Sequence, residues 1–283
     1  MMSNIELSDC GNDVKATDYD RYLTCLFAPE ECRDALFALY AFNQEIAKTA
    51  EVVSEPLTGM IRLQWWRESI QGIYDGTPRK HVVVEALSEA IHQFSLERAA
   101  FDKLIDCREF DLDEEVPTTL GSLEEYVESS SSVLLKIAVG ITSKTCSENI
   151  QQATKHMGLA WGILGLIRAI PFHAGKKRAY IPQDLANQFG LDKKGLFELQ
   201  GSAALSEITK VLAERLCYHL SLARSFHKSI PKSAKSPLLV GVLTDQYLKR
   251  LEENDFDPFS PSLHRLGASA SWRLMWANFR SNY

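Results

Sequence analysis

Apolar residues recur along the chain at spacings of three and four. Runs that alternate apolar and polar between Gly or Pro hardly occur, so the pattern predicts an all-α protein. Between Glu30 and Glu51, residues Leu36, Leu39, Tyr40, Phe42, Asn43 and Ile46 trace one side of a helix that Pro29 opens. A second helix is predicted from about Leu57 to Tyr74, with Ile61, Trp65, Ile70 and Ile73 inward, stopped by the turn Asp75-Gly76-Thr77-Pro78. Further helices are expected over 82–95, 97–110, 122–142 and 147–170. After a loop from His173 to Pro182 come two more, near 204–229 and 235–253, then a Pro-punctuated tail ending in SWRLMWANFRSNY. No Gly/Ser linker, composition shift or internal repeat divides the chain. It reads as a single helical domain over 18–283 behind a short disordered lead, 1–17.

Composition adds exclusions. The chain has 283 residues, 45% of them hydrophobic, enough to bury a substantial core. With 31 basic against 37 acidic side chains the formal net charge is −6, which points away from nucleic acid as a partner. The longest apolar stretch, Trp161 to Ile167, is closed by Arg168 and falls short of the roughly 18 to 20 residues of a spanning helix. Cys10, Cys25, Cys32, Cys107, Cys146 and Cys217 are scattered and form no CxxC pair, which fits a reducing compartment. The first residues lack the pattern of a secretory signal or a mitochondrial transit peptide, so a cytoplasmic setting is expected; a mature chain already trimmed of its targeting sequence would read the same way.

The chemistry-bearing patterns each admit two readings. In Met60 to Arg67, Trp65 and Trp66 sit about 100° apart on a helix, flanked by Arg62 and Arg67. One tryptophan packs in the core with the arginines pairing nearby, or the pair walls an apolar channel. The series Gly158, Gly162 and Gly165 costs about 1 kcal/mol per glycine inside a helix relative to alanine, so something presses close there: a neighbouring helix, or a long apolar ligand. Arg168, Lys176, Lys177 and Arg178 could grip a phosphate, or simply complement the end of a helix dipole. The seven histidines show no HxxxH pairing, and Glu89-x-x-His92 stands without a second histidine on its helix, so no metal site is indicated. No GxSxG elbow is present, and Ser129 to Ser132 reads as a polar helical stretch.

Leu39-Tyr40-Ala41-Phe42, then Leu63 and Trp66, then Gly158 and Ala160 leading to Arg168, Arg178, Tyr180 and Pro182, resemble the squalene/phytoene synthase family from about Asp18 to Leu251. The resemblance implies the all-α isoprenoid synthase fold with a central apolar cavity. In active members it implies head-to-head condensation of two prenyl diphosphates, with two Asp-rich motifs holding Mg²⁺. A diphosphate carries several negative charges, and bridging divalent ions stabilise its binding and departure.

Aligned on Tyr40 to Phe42, the first motif, D-D-x-x-D in the family, falls on Ala47-Lys48-Thr49-Ala50-Glu51, where only Glu51 is acidic. Aligned on Gly158, Arg168 and Tyr180, the second, R-D-x-x-x-D, falls on Arg168 to His173, and both aspartates are gone. Glu51 and Glu55 have the spacing of a helical carboxylate pair, but Pro56 disfavours helical geometry at Glu55. Phe42 to Ala47, Val53 to Pro56, Arg62 to Trp65, Arg168 to His173, Ala223 to His227 and Asp255 to Asp257 are similar to a degenerate branch of the family, formed by the mitochondrial complex I assembly factor and its alphaproteobacterial relatives.

The resemblance therefore implies a pseudoenzyme that assists assembly of NADH:ubiquinone oxidoreductase or handles an isoprenoid or other lipid. Its partners would be complex I subunits or assembly intermediates, or a prenyl diphosphate or lipid. Its place would be peripheral at a bacterial inner membrane, or the mitochondrial matrix for a trimmed eukaryotic chain. No catalytic residue, metal ligand or cofactor is assigned, and Mg²⁺ enters only in the alternative, a working phytoene- or squalene-type synthase. The family positions mark Arg168, Arg178, Tyr180, Glu45 and Glu51 as the residual diphosphate site, and Phe42, Trp65, Trp66, Gly158, Gly162 and Gly165 as cavity lining. A third reading is a scaffold collapsed around Trp65, Trp66 and Trp161.

Overall fold

The computed structural model describes residues 7–53, 55–113, 116–264, 266–267, 269–280 and 282–283, and among these there is no β-strand. In chain order the helices are α1 (Asp9–Thr17), α2 (Tyr19–Cys25), α3 (Glu30–Ala47), α4 (Thr49–Val52), α5 (Pro56–Tyr74), α6 (Val82–Phe94), α7 (Arg98–Asp106) and α8 (Leu120–Val127). A π turn (Glu128–Ser132) follows, then α9 (Val133–Thr142), α10 (Glu148–Gly175), α11 (Gln183–Gln188), α12 (Lys193–Phe197), α13 (Ala203–Ser225), α14 (Lys235–Leu238), α15 (Val240–Glu253) and α16 (Ser269–Phe279). The all-α expectation holds. Chain contacts gather into two compact units, each drawn from three stretches of sequence: 1–113, 133–146 and 231–237 in the first, and 114–132, 147–230 and 238–283 in the second.

In the first unit α3 is the central helix. Ala35 to Asn43 are buried without interruption, so α3 has no solvent face there, and α1, α6 and α9 pack around it. The disordered lead expected over 1–17 is corrected in its described part. Ser8 caps α1 by accepting from the Gly11 amide at 3.3 Å, and Cys10 and Val14 sit a turn apart on the buried side. Gly11 lets the Phe37 ring approach, since a Cβ there would lie 3.1 Å from it.

Of the face expected for α5, Ile70 and Ile73 are inward, but its first half turns: Leu63 and Trp66 replace Ile61 and Trp65. Leu63, Trp66, Ile70 and Ile73 are buried, whereas Ile61 is 63% exposed and Trp65 half-buried. Gly59, one turn before Leu63, explains the choice: a Cβ there would run into the Leu112 methyls, so the bare backbone marks the side that packs closest.

The second unit is organised on α10, against which α13, α15 and the π turn pack. By length and composition α10 is the one described helix that could cross a membrane, yet more than half of its apolar window is buried, as in a core helix. It runs past the end expected near 170, through Pro171 to Gly175. Lys177 then takes a left-handed conformation (φ 55°), and the Lys177 and Arg178 amides donate to Ala174 and His173 carbonyls at 2.9 Å, closing the helix. The expected tail contains a further helix, α16, whose Leu274 and Ala277 are buried.

Candidate functional site

Within the first unit, Glu45 on the last turn of α3 is held by two cations. Lys48 Nζ pairs with Oε1, and Arg62 from α5 donates to Oε2 at 2.7 Å. The helix is interrupted at Lys48 before α4 begins, so Glu51 lies on a separate short helix, exposed. Glu55 has extended backbone (φ −126°, ψ 134°) as the residue before Pro56, so it makes no helical pair with Glu51.

Phe42 and Trp66, expected to line a cavity, pack edge-to-face on each other with ring centroids 5.4 Å apart, and Phe42 meets Phe101 at 5.7 Å. All three are essentially buried, so they are core. Trp65 meets the His81 ring at 5.4 Å and lies under the Arg79 guanidinium at 5.4 Å. Arg67 pairs with Asp106 at 2.8 Å and with Glu109. The packing reading of the tryptophan pair is the one found.

Within the second unit, Gly158 and Gly162 are likewise taken up by packing. A Cβ at Gly158 would strike Ser132 Cα, and one at Gly162 would strike the Val127 side chain. The close approach lets Ser132 Oγ donate to the Lys155 carbonyl at 2.8 Å. Gly165 has nothing within contact range of such an atom.

Arg168 donates to the Leu263 carbonyl at 3.1 Å and to His264 O at 3.3 Å, and its guanidinium lies 3.9 Å from the Tyr247 ring centroid. Arg178 lies over Tyr180 at 5.1 Å. Tyr180 is also stacked on Tyr126 at 5.6 Å and meets His173 at 4.7 Å. Arg168 thus grips the 263–264 turn, and Arg178 belongs to an aromatic cluster.

A further constellation of the second unit escaped the sequence reading. Glu124 on α8 pairs with Arg215 of α13 through both oxygens, one at 3.0 Å, and Oε1 lies 3.1 Å from His219 Nε2. His219 Nδ1 in turn lies 2.9 Å from Nδ1 of His156 on α10. The carboxylate accepts, so neutral His219 carries its proton on Nε2 and its Nδ1 is bare. His156 must then donate from Nδ1. One anion therefore sets both tautomers. Burial presses the His219 and His156 pKa values down, and a hydrogen bond from His219 to Glu124 only partly offsets this for His219. Burial pushes Glu124 up, but hydrogen bonds from Arg215 and His219 outweigh it and hold the carboxyl below its usual range.

The squalene/phytoene synthase family model matches residues 14–280. The chain belongs to the squalene/phytoene synthase family. It is 32% identical over 274 residues to the Bos taurus protein named NADH dehydrogenase (ubiquinone) complex I, assembly factor 6, covering 97% of this chain and 82% of that one. It is 25% identical over 222 residues to presqualene diphosphate synthase of Rhodopseudomonas palustris, covering 78% of each. Among solved structures, a dehydrosqualene synthase bound to ligand superposes with a TM-score of 0.83 over 96% of this chain and 94% of that one, at 17% identity. That likeness shows the isoprenoid synthase fold.

The Mg²⁺ that the resemblance implies for active members would need carboxylates with open oxygens, and the donor set at Glu45 does not suit that ion. Among the described residues no group of three or more His, Cys, Asp or Glu side chains is arranged to hold a metal ion. Both oxygens of Glu45 are engaged by cations. A divalent ion there would face a lysine and an arginine at close range.

Proposed function

We propose that the chain is a catalytically silent member of the family that assists assembly of the NADH dehydrogenase (ubiquinone) complex, peripherally at the membrane that holds it. The observation that carries the reading is the Lys48–Glu45–Arg62 cluster. It stands beside the segment on which the first Asp-rich motif falls, and it supplies fixed positive charge where prenyl transfer needs exchangeable divalent ions. Similarity to assembly factor 6 over nearly the whole chain supports the choice of complex. In this reading Arg168, Arg178 and Tyr180 are remnants of a diphosphate site now serving the fold.

Two measurements test the proposal. Purified chain incubated with farnesyl diphosphate is expected to release no diphosphate, with or without Mg²⁺. Removing the gene from its source cell is expected to deplete the assembled NADH dehydrogenase complex and its activity. Mg²⁺-dependent release of diphosphate would overturn the silent reading in favour of a working synthase, the activity named for the Rhodopseudomonas palustris relative. An unchanged complex in the deletion strain would overturn the assembly role.

A further inference from the structure

Helix α16 is amphipathic the wrong way round for a core helix. Its buried side is made of Ala270, Leu274 and Ala277, while its largest side chains face solvent: Trp272 at 70% exposure, Met275 at 47%, Trp276 at 57% and Phe279 at 80%. These four fall at i, i+3, i+4 and i+7, one stripe about 100° wide opposite the buried side. Arg273 and Arg280, also i and i+7, are exposed along one edge of that stripe, and the Arg280 guanidinium lies 4.5 Å from the Trp276 ring centroid.

The two arginines, with Trp272 and Trp276, line a groove of about 820 Å³ within the second unit, together with Arg224 of α13, His227 and Asp245 of α15. Arg224 is held in place there, donating to Asp245 at 2.6 Å and to Tyr283 O at 2.9 Å. Among its described lining residues the groove holds the guanidiniums of Arg224, Arg273 and Arg280; Asp245 and the Tyr283 oxygen engage Arg224, so Arg273 and Arg280 form the positive edge. The chain as a whole carries a net charge of −6, so this positive strip is a local exception.

We propose that α16 and its groove form a docking surface for an anionic phospholipid bilayer. Trp favours the boundary between headgroups and acyl chains, where its ring is buried while the indole N–H stays wet, and Phe adds apolar area on the inserted face. Arginines at the same level meet lipid phosphates, which they bind in a forked geometry. A helix lying in the membrane plane with this pairing of apolar stripe and basic edge inserts shallowly, and its affinity combines buried area with attraction to anionic lipid. A twofold pair of copies joined through this face would set the arginine edge against itself, whereas lipid phosphates complement it. The inference rests on the preceding reading only in placing the protein at a membrane, and no component of the complex enters its test.

The test is cosedimentation of the full chain with vesicles of phosphatidylcholine, with and without phosphatidylglycerol, followed in parallel by sedimentation velocity without vesicles. Wild-type chain is expected in the pellet with phosphatidylglycerol vesicles and largely absent with phosphatidylcholine alone, with added salt weakening binding. The triple variant Trp272→Ser, Trp276→Ser, Phe279→Ser is expected to lower partitioning by at least about tenfold. Arg273→Glu with Arg280→Glu is expected to remove the preference for the anionic vesicles. All five positions are exposed, and unchanged melting temperatures confirm that the variants fold. Failure of wild-type chain to bind either vesicle overturns the proposal, as does equal binding by wild type and both variants. A dimer that the triple variant converts to monomer, with vesicle binding unaltered, assigns the stripe to self-association and overturns it too.

Discussion

Replacing Glu124 by Ala strands the Nε2–H of His219, a ring only 3% exposed, and leaves Arg215 without its carboxylate. The expected loss is about 1–3 kcal/mol of stability, measured by urea unfolding, with Glu124→Gln recovering part because its amide oxygen still accepts. Acid acts on the same cluster. The folded chain holds both imidazoles below the ordinary 6.5, so the unfolded chain binds more protons once pH falls through that value. Their contribution is full above about pH 6.5 and is lost progressively below it. Glu124, held below its ordinary 4.5, adds a further loss in more acidic solution. The melting temperature is therefore expected to drop as pH falls from neutral towards 5, and His156→Asn, which keeps a donor without titrating, is expected to flatten that drop. None of this was legible in the sequence. His156 and His219 are 63 positions apart and Glu124 lies 95 from His219, and no periodicity links residues on three helices. The one available signal was a histidine in the apolar stripe formed by Leu212, Leu216 and Leu220.

At the scale of helices, the glycines of α10 separate into two kinds. Gly158→Ala is expected to destabilise by about 1–3 kcal/mol, because its methyl meets the Ser132 backbone and the π turn must back away, weakening the hydroxyl bond to Lys155. Gly165→Ala, with nothing near it, is expected to stabilise by up to about 1 kcal/mol through helix propensity alone. Chemical denaturation of the pair distinguishes close packing from mere tolerance of glycine. Helices were readable wherever a long buried stripe existed, as in α3, α6 and α13, although α3 and α13 end four residues before the expected 51 and 229 and α10 runs five past the expected 170. The reading failed where no such stripe existed. Helix α1 is short and polar, with Cys10 and Val14 as its buried contacts, and α16 shows its stripe to solvent. In α5 two stripes compete, Leu57, Ile61 and Trp65 against Leu63, Trp66 and Ile70, and only the seat of Leu112 at Gly59 decides between them.

At the scale of the molecule, the first unit is not a contiguous segment. Leu134, Ile137, Ala138 and Ile141 of α9 belong to its hydrophobic core, and Cys32 Sγ donates to the Ile141 carbonyl at 3.4 Å. A fragment of residues 1–113 is therefore expected to expose that core face, to bind a hydrophobic dye and to melt without a cooperative transition, whereas adding back 133–146 as a peptide should restore protection. The family was legible from motif residues spread across the chain. The engagement of each of those residues was not, because Arg168 reaches the turn at 263–264 and Glu45 reaches α5 only after folding. The pairing at Glu45 has a bearing on how such a chain can change. Lys48 and Arg62 are counterions tethered by covalent stems: they neither dissociate nor depend on supply. A single Lys48→Asp substitution would set a second anion beside Glu45 while leaving Arg62 in place. In the proposed silent reading, gaining a metal-holding site would pass through intermediates that neither hold an ion nor keep the pair, so the present pairing behaves as a ratchet.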